Sequence, residues 1–254
     1  MHNAAFNELG INGAYVPIKA TNIIQTIAGL RTLGFTGASI TVPFKETVMD
    51  CLDDIDPTAA QIGAVNTLSF HQTDQEAVRT CHGYNTDWIG SNSALSQIIN
   101  PDNATALVIG AGGAAKAVIF GLLAAGAKVT IANRTQKKAV ELAIELGCDS
   151  VPLDKIDTIS ADILINTTTV GMAPHSDQSP VPSGLLHNYQ VVMDIVYAPL
   201  QTTLLKHALA SGCKVIDGLD MLLYQGVEQF RIWTGVTPPP SVMRKALLKA
   251  IDNM

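Results

Sequence analysis

The stretch Ala106-Leu107-Val108-Ile109-Gly110-Ala111-Gly112-Gly113-Ala114-Ala115 decides the fold of this chain of 254 residues. Four apolar residues typical of a buried strand run straight into a glycine-rich turn, and residues 116–125 then continue as a predicted helix. A glycine motif on its own is a weak signal, whereas strand, glycine loop and helix in direct succession indicate a dinucleotide-binding unit. The stretch therefore predicts a Rossmann-like α/β domain.

The small residues of this turn each have a mechanical reason. Gly110 is expected to make the tight turn, Gly112 to let the backbone approach a pyrophosphate, and Ala115 to pack the helix against the strand. The positive end of the helix dipole then faces the anion. A glycine turn in some other kind of α/β protein is the alternative. The predicted cofactor-binding residues of the loop are Gly110, Ala111, Gly112, Gly113 and Ala114.

The end of the next predicted strand, Asn133-Arg134-Thr135, indicates which cofactor the domain takes. NAD binding favours a carboxylate at this position, which accepts hydrogen bonds from the adenosine ribose, and this strand ends without one. Arg134 can instead clamp a 2′-phosphate through paired charge-assisted hydrogen bonds, and Lys137 or Lys138 adds positive charge. NADP is therefore the predicted cofactor, held here by Asn133, Arg134, Thr135 and Lys138. A solvated helix start is the alternative for these cations.

The pattern on both sides of the loop predicts a two-lobed α/β chain. Strands are expected at 105–109, 128–132, 162–166 and 191–195, with helices between them. Residues 1–86 also alternate, which predicts a second α/β lobe built on a parallel sheet with crossover helices. The elements expected in that lobe are helices near 1–9 and 23–33, strands near 14–17 and 38–41, a loop that leads into a strand over 63–70, and a polar hairpin-like excursion at 71–80.

The predicted domains follow from this division. An N-terminal substrate-binding domain spans residues 1–87, and a Rossmann-like NADP-binding domain spans residues 88–220. Residues 221–254 are expected to form helices, separated near 237–240, that return to the first lobe.

Composition narrows the possible partners to small molecules. With 16 basic and 22 acidic residues the net charge is -6 and the pI about 5.4, which argues against binding to nucleic acid or anionic membrane. Four scattered cysteines predict neither a disulfide framework nor a metal site and fit a reducing cytoplasm. The longest apolar stretch carries Lys116 and Lys128 and is broken by glycines, so it is not a membrane span. Monomer and homodimer both stay open.

Lys45 and Asp87 are the candidate catalytic residues. Lys45 closes the run Thr41-Val42-Pro43-Phe44-Lys45, in which Pro43 ends strand pairing and places the lysine at a strand's carboxyl end, where open α/β sheets bind ligands. Reduction of a ketone by hydride leaves an alkoxide that needs a proton from a positioned acid. Asp87 lies where the lobes meet in sequence and is the expected partner. An exposed lysine at a helix start and an N-cap aspartate are the alternatives.

Several motifs then occur in the order seen in shikimate dehydrogenases, and the resemblance covers essentially the whole chain. It implies reversible NADPH-dependent reduction of 3-dehydroshikimate to shikimate, on the route to chorismate and the aromatic amino acids. The motifs are Thr41-Val42-Pro43-Phe44-Lys45, Gly63-Ala64-Val65-Asn66-Thr67, Asn85-Thr86-Asp87, Gly110-Ala111-Gly112-Gly113-Ala114-Ala115, Asn133-Arg134-Thr135 and Asp217-Gly218-Leu219-Asp220-Met221-Leu222.

The same resemblance implies a role for each matching residue. Lys45 would be the acid/base lysine, and Asp87 would bind a substrate hydroxyl and share the proton network. Asn66 and Thr41 would bond other ring hydroxyls, or else stabilise turns. The remaining implied residues are Gln225 at the substrate, Tyr197 near the substrate carboxylate, and Ile195 and Gly218 at the nicotinamide. A surface glutamine and a buried core tyrosine are the alternatives for Gln225 and Tyr197.

The chain departs from the family pattern in two places. Members carry a first strand and a serine loop ahead of the segment that matches Met1–Phe6, and those serines hold the substrate carboxylate; we expect a truncated or misassigned start. Trp88 stands where a glycine is common. Two alternatives to shikimate dehydrogenase stay open. One is the quinate/shikimate branch, and the other is a cofactor-binding homologue made weak or inactive by the missing start.

Overall fold

A computed structural model describes residues 1–72 and 79–251 of the chain. The residues form two compact units. One comprises Met1–Thr86 with Gln225–Leu248, and the other is built on Asp87–Tyr224. The predicted substrate-binding domain is 1–87 with 221–254, and the predicted cofactor-binding domain is 88–220. The assignment of substrate and cofactor to these domains remains a proposal.

The first unit is built on a four-stranded mixed sheet. Its elements in chain order are α1 (His2–Glu8), α2 (Ile23–Thr32), β1 (Gly37–Ser39), β2 (Asp54–Ile55), α3 (Pro57–Ile62), β3 (Thr67–His71) and β4 (Thr80–Tyr84). The strands lie in the order β1-β3-β4-β2, and only β2 and β4 pair in parallel. The predicted parallel sheet is wrong for this unit, because β3 and β4 pair antiparallel and need no crossover helix. Most of the predicted excursion at 71–80 lies outside the described residues.

The predicted strand at 14–17 is also wrong, since these residues adopt no regular structure. The side chain of Asn3 in α1 takes both backbone groups of Tyr15 that a neighbouring strand would need. Its Oδ1 accepts from the Tyr15 N–H at 2.6 Å, and its Nδ2 donates to the Tyr15 carbonyl at 2.9 Å. A side chain that satisfies the backbone in this way replaces the strand ladder.

The second unit is an all-parallel doubly wound sheet. Its elements are α4 (Asp87–Ser96), β5 (Thr105–Ile109), α5 (Gly113–Ala124), β6 (Lys128–Asn133), α6 (Gln136–Leu146), β7 (Asp149–Pro152), β8 (Ile163–Asn166), β9 (Val191–Asp194), α7 (Thr203–Ala210), β10 (Lys214–Ile216) and the start of α8 (Gly218–Thr234), which belongs to the first unit from Gln225 onward. The strand order is β10-β9-β8-β5-β6-β7, so the direction of winding reverses between β5 and β8. Ligands of such sheets bind at this switch point, beyond the carboxyl ends of the strands. The predicted Rossmann-like fold is confirmed.

Three details of this unit differ from the sequence prediction. Strands β7 and β10 were not predicted, because they are four and three residues long and carry little periodicity. The helix expected between β8 and β9 is wrong. The described chain there has one regular element, a 3₁₀ helix at Ser183–Asn188. Pro174, Pro180 and Pro182 in this connection lack the N–H that an α-helix needs.

The C-terminal helices return to the first unit, as predicted. Helix α9 (Pro240–Ile251) follows α8, and Gln225–Leu248 belongs to the first unit. The indole N–H of Trp233 donates to the carbonyl of Leu68 in β3 at 2.8 Å. A Cβ on Gly37 would collide with the Trp233 ring, so glycine at this place in β1 lets the helix approach. Phe230 is fully buried against Phe6.

Each unit has its own core. In the second unit, apolar side chains cover both faces of the sheet, as the helices on either side of a parallel sheet require. In the first unit, Ile27 and Leu30 of α2 pack on Leu68 and Phe70 of β3. Among the described residues, no helix is long and apolar enough to cross a membrane.

Candidate active site and cofactor site

The loop after β5 has the backbone that the sequence predicts for a pyrophosphate cradle. Gly110 has φ +126°, which residues with a side chain rarely adopt, and its N–H donates to the Ala132 carbonyl at 2.8 Å. A Cβ on Gly110 would collide with the hydroxyl of Thr167. The tight turn therefore needs glycine on two counts.

The space beside Gly112 is open, whereas the space beside Gly110 is filled. A Cβ on Gly112 would have no neighbour within 4 Å, and its φ of -105° suits any residue. Gly112 is the N-cap of α5 and supplies no side-chain acceptor, while the first N–H groups of a helix have no acceptor within it. N–H groups at the start of a helix are suited to bind an anion. Ala115, fully buried, lets α5 pack closely on the sheet.

The residues after β6 present positive charge to solvent. Asn133 ends the strand, and its Nδ2 donates to the Thr135 carbonyl at 3.1 Å, which shapes the turn into α6. Arg134 and Lys138 are exposed, and among the described residues neither takes part in an ion pair. Lys137 instead pairs with Glu141 at 3.7 Å along the helix. Arg134 and Lys138 are therefore the cations available to a phosphate.

The carboxyl ends of β8 and β9 carry a buried network that sequence reasoning missed. The Oδ1 of Asp194 accepts from Asn166 Nδ2 at 2.9 Å and from the Val196 N–H at 3.1 Å, and its Oδ2 accepts from the Thr202 hydroxyl at 2.7 Å. Burial raises the pKa of Asp194 to about 6, against the opposite effect of these bonds. Asn166 Oδ1 accepts from the N–H and hydroxyl of Thr168. A polar residue closing an apolar strand was the available signal.

This network holds the strand end that carries Ile195, one of the two predicted nicotinamide residues. Ile195 follows Asp194 directly, and its N–H donates to the Asn166 carbonyl at 3.1 Å. Gly218 begins α8, where an added Cβ would collide with the Ile195 carbonyl, so glycine permits this approach of helix and loop. Tyr197 is 43% exposed, so the alternative of a buried core tyrosine is wrong.

In the first unit, backbone hydrogen bonds join the loop of Lys45 to the segment of Asn66. The Val65 N–H donates to the Lys45 carbonyl at 2.7 Å, and the Ile40 N–H donates to the Asn66 carbonyl at 2.8 Å. Lys45 is half-buried and lies six residues beyond β1, just ahead of a 3₁₀ helix at Thr47–Cys51. The Thr41 carbonyl accepts from the Phe44 N–H at 2.9 Å, which closes the turn between strand and lysine.

Asn66 and Gln225 lie together at the centre of a buried polar cluster. Asn66 Nδ2 donates to the Thr86 hydroxyl at 3.0 Å and to Gln225 Oε1 at 3.4 Å, and Asn66 Oδ1 accepts from the Thr86 N–H at 2.8 Å. Asn66 is 2% exposed and Gln225 8%. Gln225 is therefore not the surface glutamine of the alternative interpretation.

Asp87 is the first residue of α4 and belongs to the second unit, whereas Lys45 belongs to the first. Its side chain is 5% exposed, and a buried carboxylate needs hydrogen-bond or charge partners. Trp88, which follows it, packs edge-on against Phe120 of α5 with ring centroids 5.8 Å apart. No cluster of potential metal ligands occurs among the described residues.

Three family models match the chain. The model described as "Shikimate dehydrogenase substrate binding domain" matches residues 1–68, "Shikimate / quinate 5-dehydrogenase" matches 93–195, and "Shikimate 5'-dehydrogenase C-terminal domain" matches 218–248. Together they include the Lys45, Asn66, glycine-loop, Arg134 and Gln225 segments.

Whole-chain comparisons agree. The chain is 46% identical to the shikimate dehydrogenase (NADP(+)) of Methanothermobacter thermautotrophicus, an alignment that covers 100% of this chain and 92% of that protein. A crystal structure of a shikimate dehydrogenase in complex with NADP+ is 40% identical with a TM-score of 0.90, covering 98% of this chain and 89% of the other. The Thermus thermophilus enzyme in complex with NADP(H) and shikimate is 39% identical with a TM-score of 0.85, covering 98% and 92%.

Proposed function

The chain belongs to the shikimate dehydrogenase family, and we propose that it catalyses the reversible NADPH-dependent reduction of 3-dehydroshikimate to shikimate. The observation that carries this proposal is the open glycine loop at the switch point of the second unit, followed on the next strand by an arginine instead of an acid. It is supported by a first unit in which Lys45 and the Asn66–Gln225 cluster are tied together.

Lys45 and Asp87 are assigned to the proton side of the reaction. When bound, NADPH supplies the hydride that reaches the carbonyl carbon of the substrate. The carbonyl oxygen becomes an alkoxide, and Lys45 gives it a proton or holds its charge. Asp87 shares that proton network and accepts a hydrogen bond from a substrate hydroxyl. In the oxidation of shikimate the same groups take the proton from the hydroxyl.

The polar side chains of the first unit are assigned to the substrate's hydroxyl groups. A triol needs several well-placed donors and acceptors in an otherwise fixed pocket. Asn66 and Gln225 are buried and hydrogen-bonded to each other, so they are held before substrate arrives. Thr41 adds a hydroxyl from the Lys45 loop, and the exposed phenol of Tyr197 is assigned to the substrate carboxylate.

The residues present fit NADP. The pyrophosphate is assigned to Gly110–Ala114 at the start of α5, where the backbone is open at Gly112. Arg134 holds the 2′-phosphate with help from Lys138, Asn133 and Thr135, and this charge favours NADP over NAD. Ile195 and Gly218 are assigned to the nicotinamide.

The partners are small molecules, and we place the enzyme in the cytoplasm. The support is that Cys51, Cys81, Cys148 and Cys213 are all free thiols, which persist in a reducing compartment. Burial raises the pKa of Cys81 to about 12, so this thiol stays protonated and unreactive.

Initial rates of oxidation test the proposal, with shikimate or quinate as substrate and NADP+ or NAD+ as cofactor. Shikimate with NADP+ should give the highest kcat/KM of the four combinations. A preference for quinate with NAD+ would place the chain on the quinate branch and remove the argument from Arg134. Binding of NADP+ without turnover of either substrate would sink the enzyme assignment.

A further inference from the structure

The first unit contains a line of hydrogen-bonded side chains behind Asn66 that the proposed function leaves without a role. Thr67 and Gln229 are 0% and 2% exposed, and neither carries a charge. We propose that Thr67 and Gln229 are positioning residues: through Asn66 they fix the amide of Gln225 so that its donor end, Nε2, is turned toward the substrate. This inference rests on the proposed function, which gives Gln225 its place at the substrate.

Two backbone groups decide which way the amides of the line point. The Thr86 N–H can only donate, and it lies 2.8 Å from one end of the Asn66 amide, which must therefore be the oxygen. The Asn66 carbonyl can only accept, and it lies 3.3 Å from one end of the Gln229 amide, which must therefore be the nitrogen. Both orientations follow from chemistry that no rotation of the side chains changes.

The hydroxyl of Thr67 connects these two amides in one direction. It accepts from Gln229 Nε2 at 3.0 Å, so its single proton is free to donate to Asn66 Oδ1, 2.7 Å away. The other end of Gln229 is fixed as well, because Ser39 in β1 donates its hydroxyl proton to Gln229 Oε1 at 2.8 Å. The donors thus run in order from Ser39 through Gln229 and Thr67 to Asn66.

Gln225 is the last side chain of this series of hydrogen bonds, which we call the relay. With its Oδ1 occupied by donors, Asn66 presents Nδ2 to Gln225, whose facing atom at 3.4 Å must be the acceptor Oε1. Nε2 then lies on the side of the Gln225 amide away from Asn66. Gln225 and Gln229 are four residues apart on α8 and lie on one helix face, so one rigid element carries both ends of the relay. A donor so presented selects an oxygen acceptor on the substrate.

Reversal of Gln225 would turn its Nε2 toward Asn66 Nδ2, place two N–H groups against each other and break the hydrogen bond between the two side chains. Loss of the Thr67 hydroxyl would leave Asn66 Oδ1 with the donors of Thr86 alone, so the Asn66–Gln225 pair would keep its orientation but be held less firmly, which should weaken substrate binding in the ground state and the transition state alike. Such a loss raises KM and leaves kcat nearly unchanged. A residue that only supported the fold would instead change stability and NADP+ binding as well.

The test measures kcat and KM for shikimate in Thr67→Val, which removes the hydroxyl at constant shape, and in Thr67→Ser, which keeps it. Thr67→Val should raise KM about tenfold, the size of one buried hydrogen bond, with kcat and NADP+ affinity near those of wild type. Thr67→Ser should restore most of the loss. In a Gln225→Met background Thr67→Val should change KM little, because the relay has lost its output.

Equal KM values for Thr67→Val and Thr67→Ser would overturn the relay, as would the same rise in KM in the Gln225→Met background. If Thr67→Val fails to fold, Gln229→Met breaks the relay one link further out and carries the same predictions. Failure of the proposed function is seen separately, since wild-type protein that binds NADP+ would then not turn over shikimate at all.

Discussion

At the scale of single residues, Lys45 and Arg134 divide the proposed chemistry between the units. Lys45 is held through its backbone to Val65 and is assigned to the substrate, whereas Arg134 is exposed after β6 and is assigned to the cofactor. Because the two residues belong to different compact units, the effects of their substitution should be separable.

Lys45→Ala should lower kcat about 10²- to 10⁴-fold, since it removes the group that we propose as the proton donor. The dissociation constant of NADP+ should stay near that of wild type, because Lys45 is not assigned to the cofactor. Steady-state kinetics with a separate fluorescence titration of NADP+ measures both. Lys19→Ala, which removes an exposed lysine of the same unit, is the matched control and should do neither. Parallel loss of NADP+ affinity would show that Lys45 is misplaced.

Arg134→Ala should raise KM for NADP+ about tenfold to a hundredfold, which is the contribution of charge-assisted hydrogen bonds to a phosphate. KM for NAD+ should change little, because NAD+ has no 2′-phosphate. Lys137→Ala is the control, as that lysine is already paired with Glu141. The argument for NADP fails if Arg134→Ala shifts both cofactors equally.

At the scale of elements, the β5–α5 turn contains one glycine that the fold requires and one that we propose a ligand requires. Gly110 is required by backbone conformation and by the contact with Thr167, whereas nothing in the protein lies near the missing side chain of Gly112. The two glycines of one motif thus have different physical reasons to be glycine.

Gly112→Ala should lower the free energy of unfolding by no more than about 1 kcal/mol, because alanine fits this open backbone but is a poorer N-cap than glycine. The same change should weaken NADP+ binding about tenfold or more, since its methyl group would enter the space that we assign to the pyrophosphate. Urea unfolding and NADP+ titration give the two numbers. Gly184→Ala, another open glycine, is the control and should affect neither. NADP+ binding undiminished by Gly112→Ala would place the pyrophosphate elsewhere.

Much of the second unit and little of the polar cluster could be predicted from the sequence. Apolar runs such as 105–109 form central strands because both their faces are buried, and the glycine loop locates the switch point. The sheet of the first unit could not be predicted in the same way, because strand direction depends on connections that periodicity does not encode. The pairing of Thr67 with Gln229 joins residues 162 positions apart, which no local pattern shows.

At the scale of the whole molecule, a buried carboxylate links pH to stability. The folded state raises the pKa of Asp194 from 3.8 to about 6, chiefly through burial. The contribution of Asp194 to the free energy of unfolding is fully present below pH 3.8, where the carboxyl group is protonated in both the folded and the unfolded protein. It is lost as pH rises through about 6, because the folded protein must then hold a buried charge.

Asp194→Asn should therefore remove a fall in unfolding free energy of up to about 3 kcal/mol between pH 4 and pH 7. Asparagine keeps an oxygen for Val196 and Asn166 and has no proton to lose. The measurement is chemical denaturation of both proteins across that range. Carboxylates whose pKa values are lowered, such as Asp53 and Asp162, act with the opposite sign but equally in both proteins. Parallel pH profiles would contradict the assignment.

The most direct measurement of the central claim is the reduction of 3-dehydroshikimate by the purified protein. The loss of NADPH and the formation of shikimate are monitored in the same reaction. We expect one shikimate for each NADPH consumed, and a much slower reaction when NADH replaces NADPH. A folded protein that binds NADPH yet forms no shikimate would contradict the account.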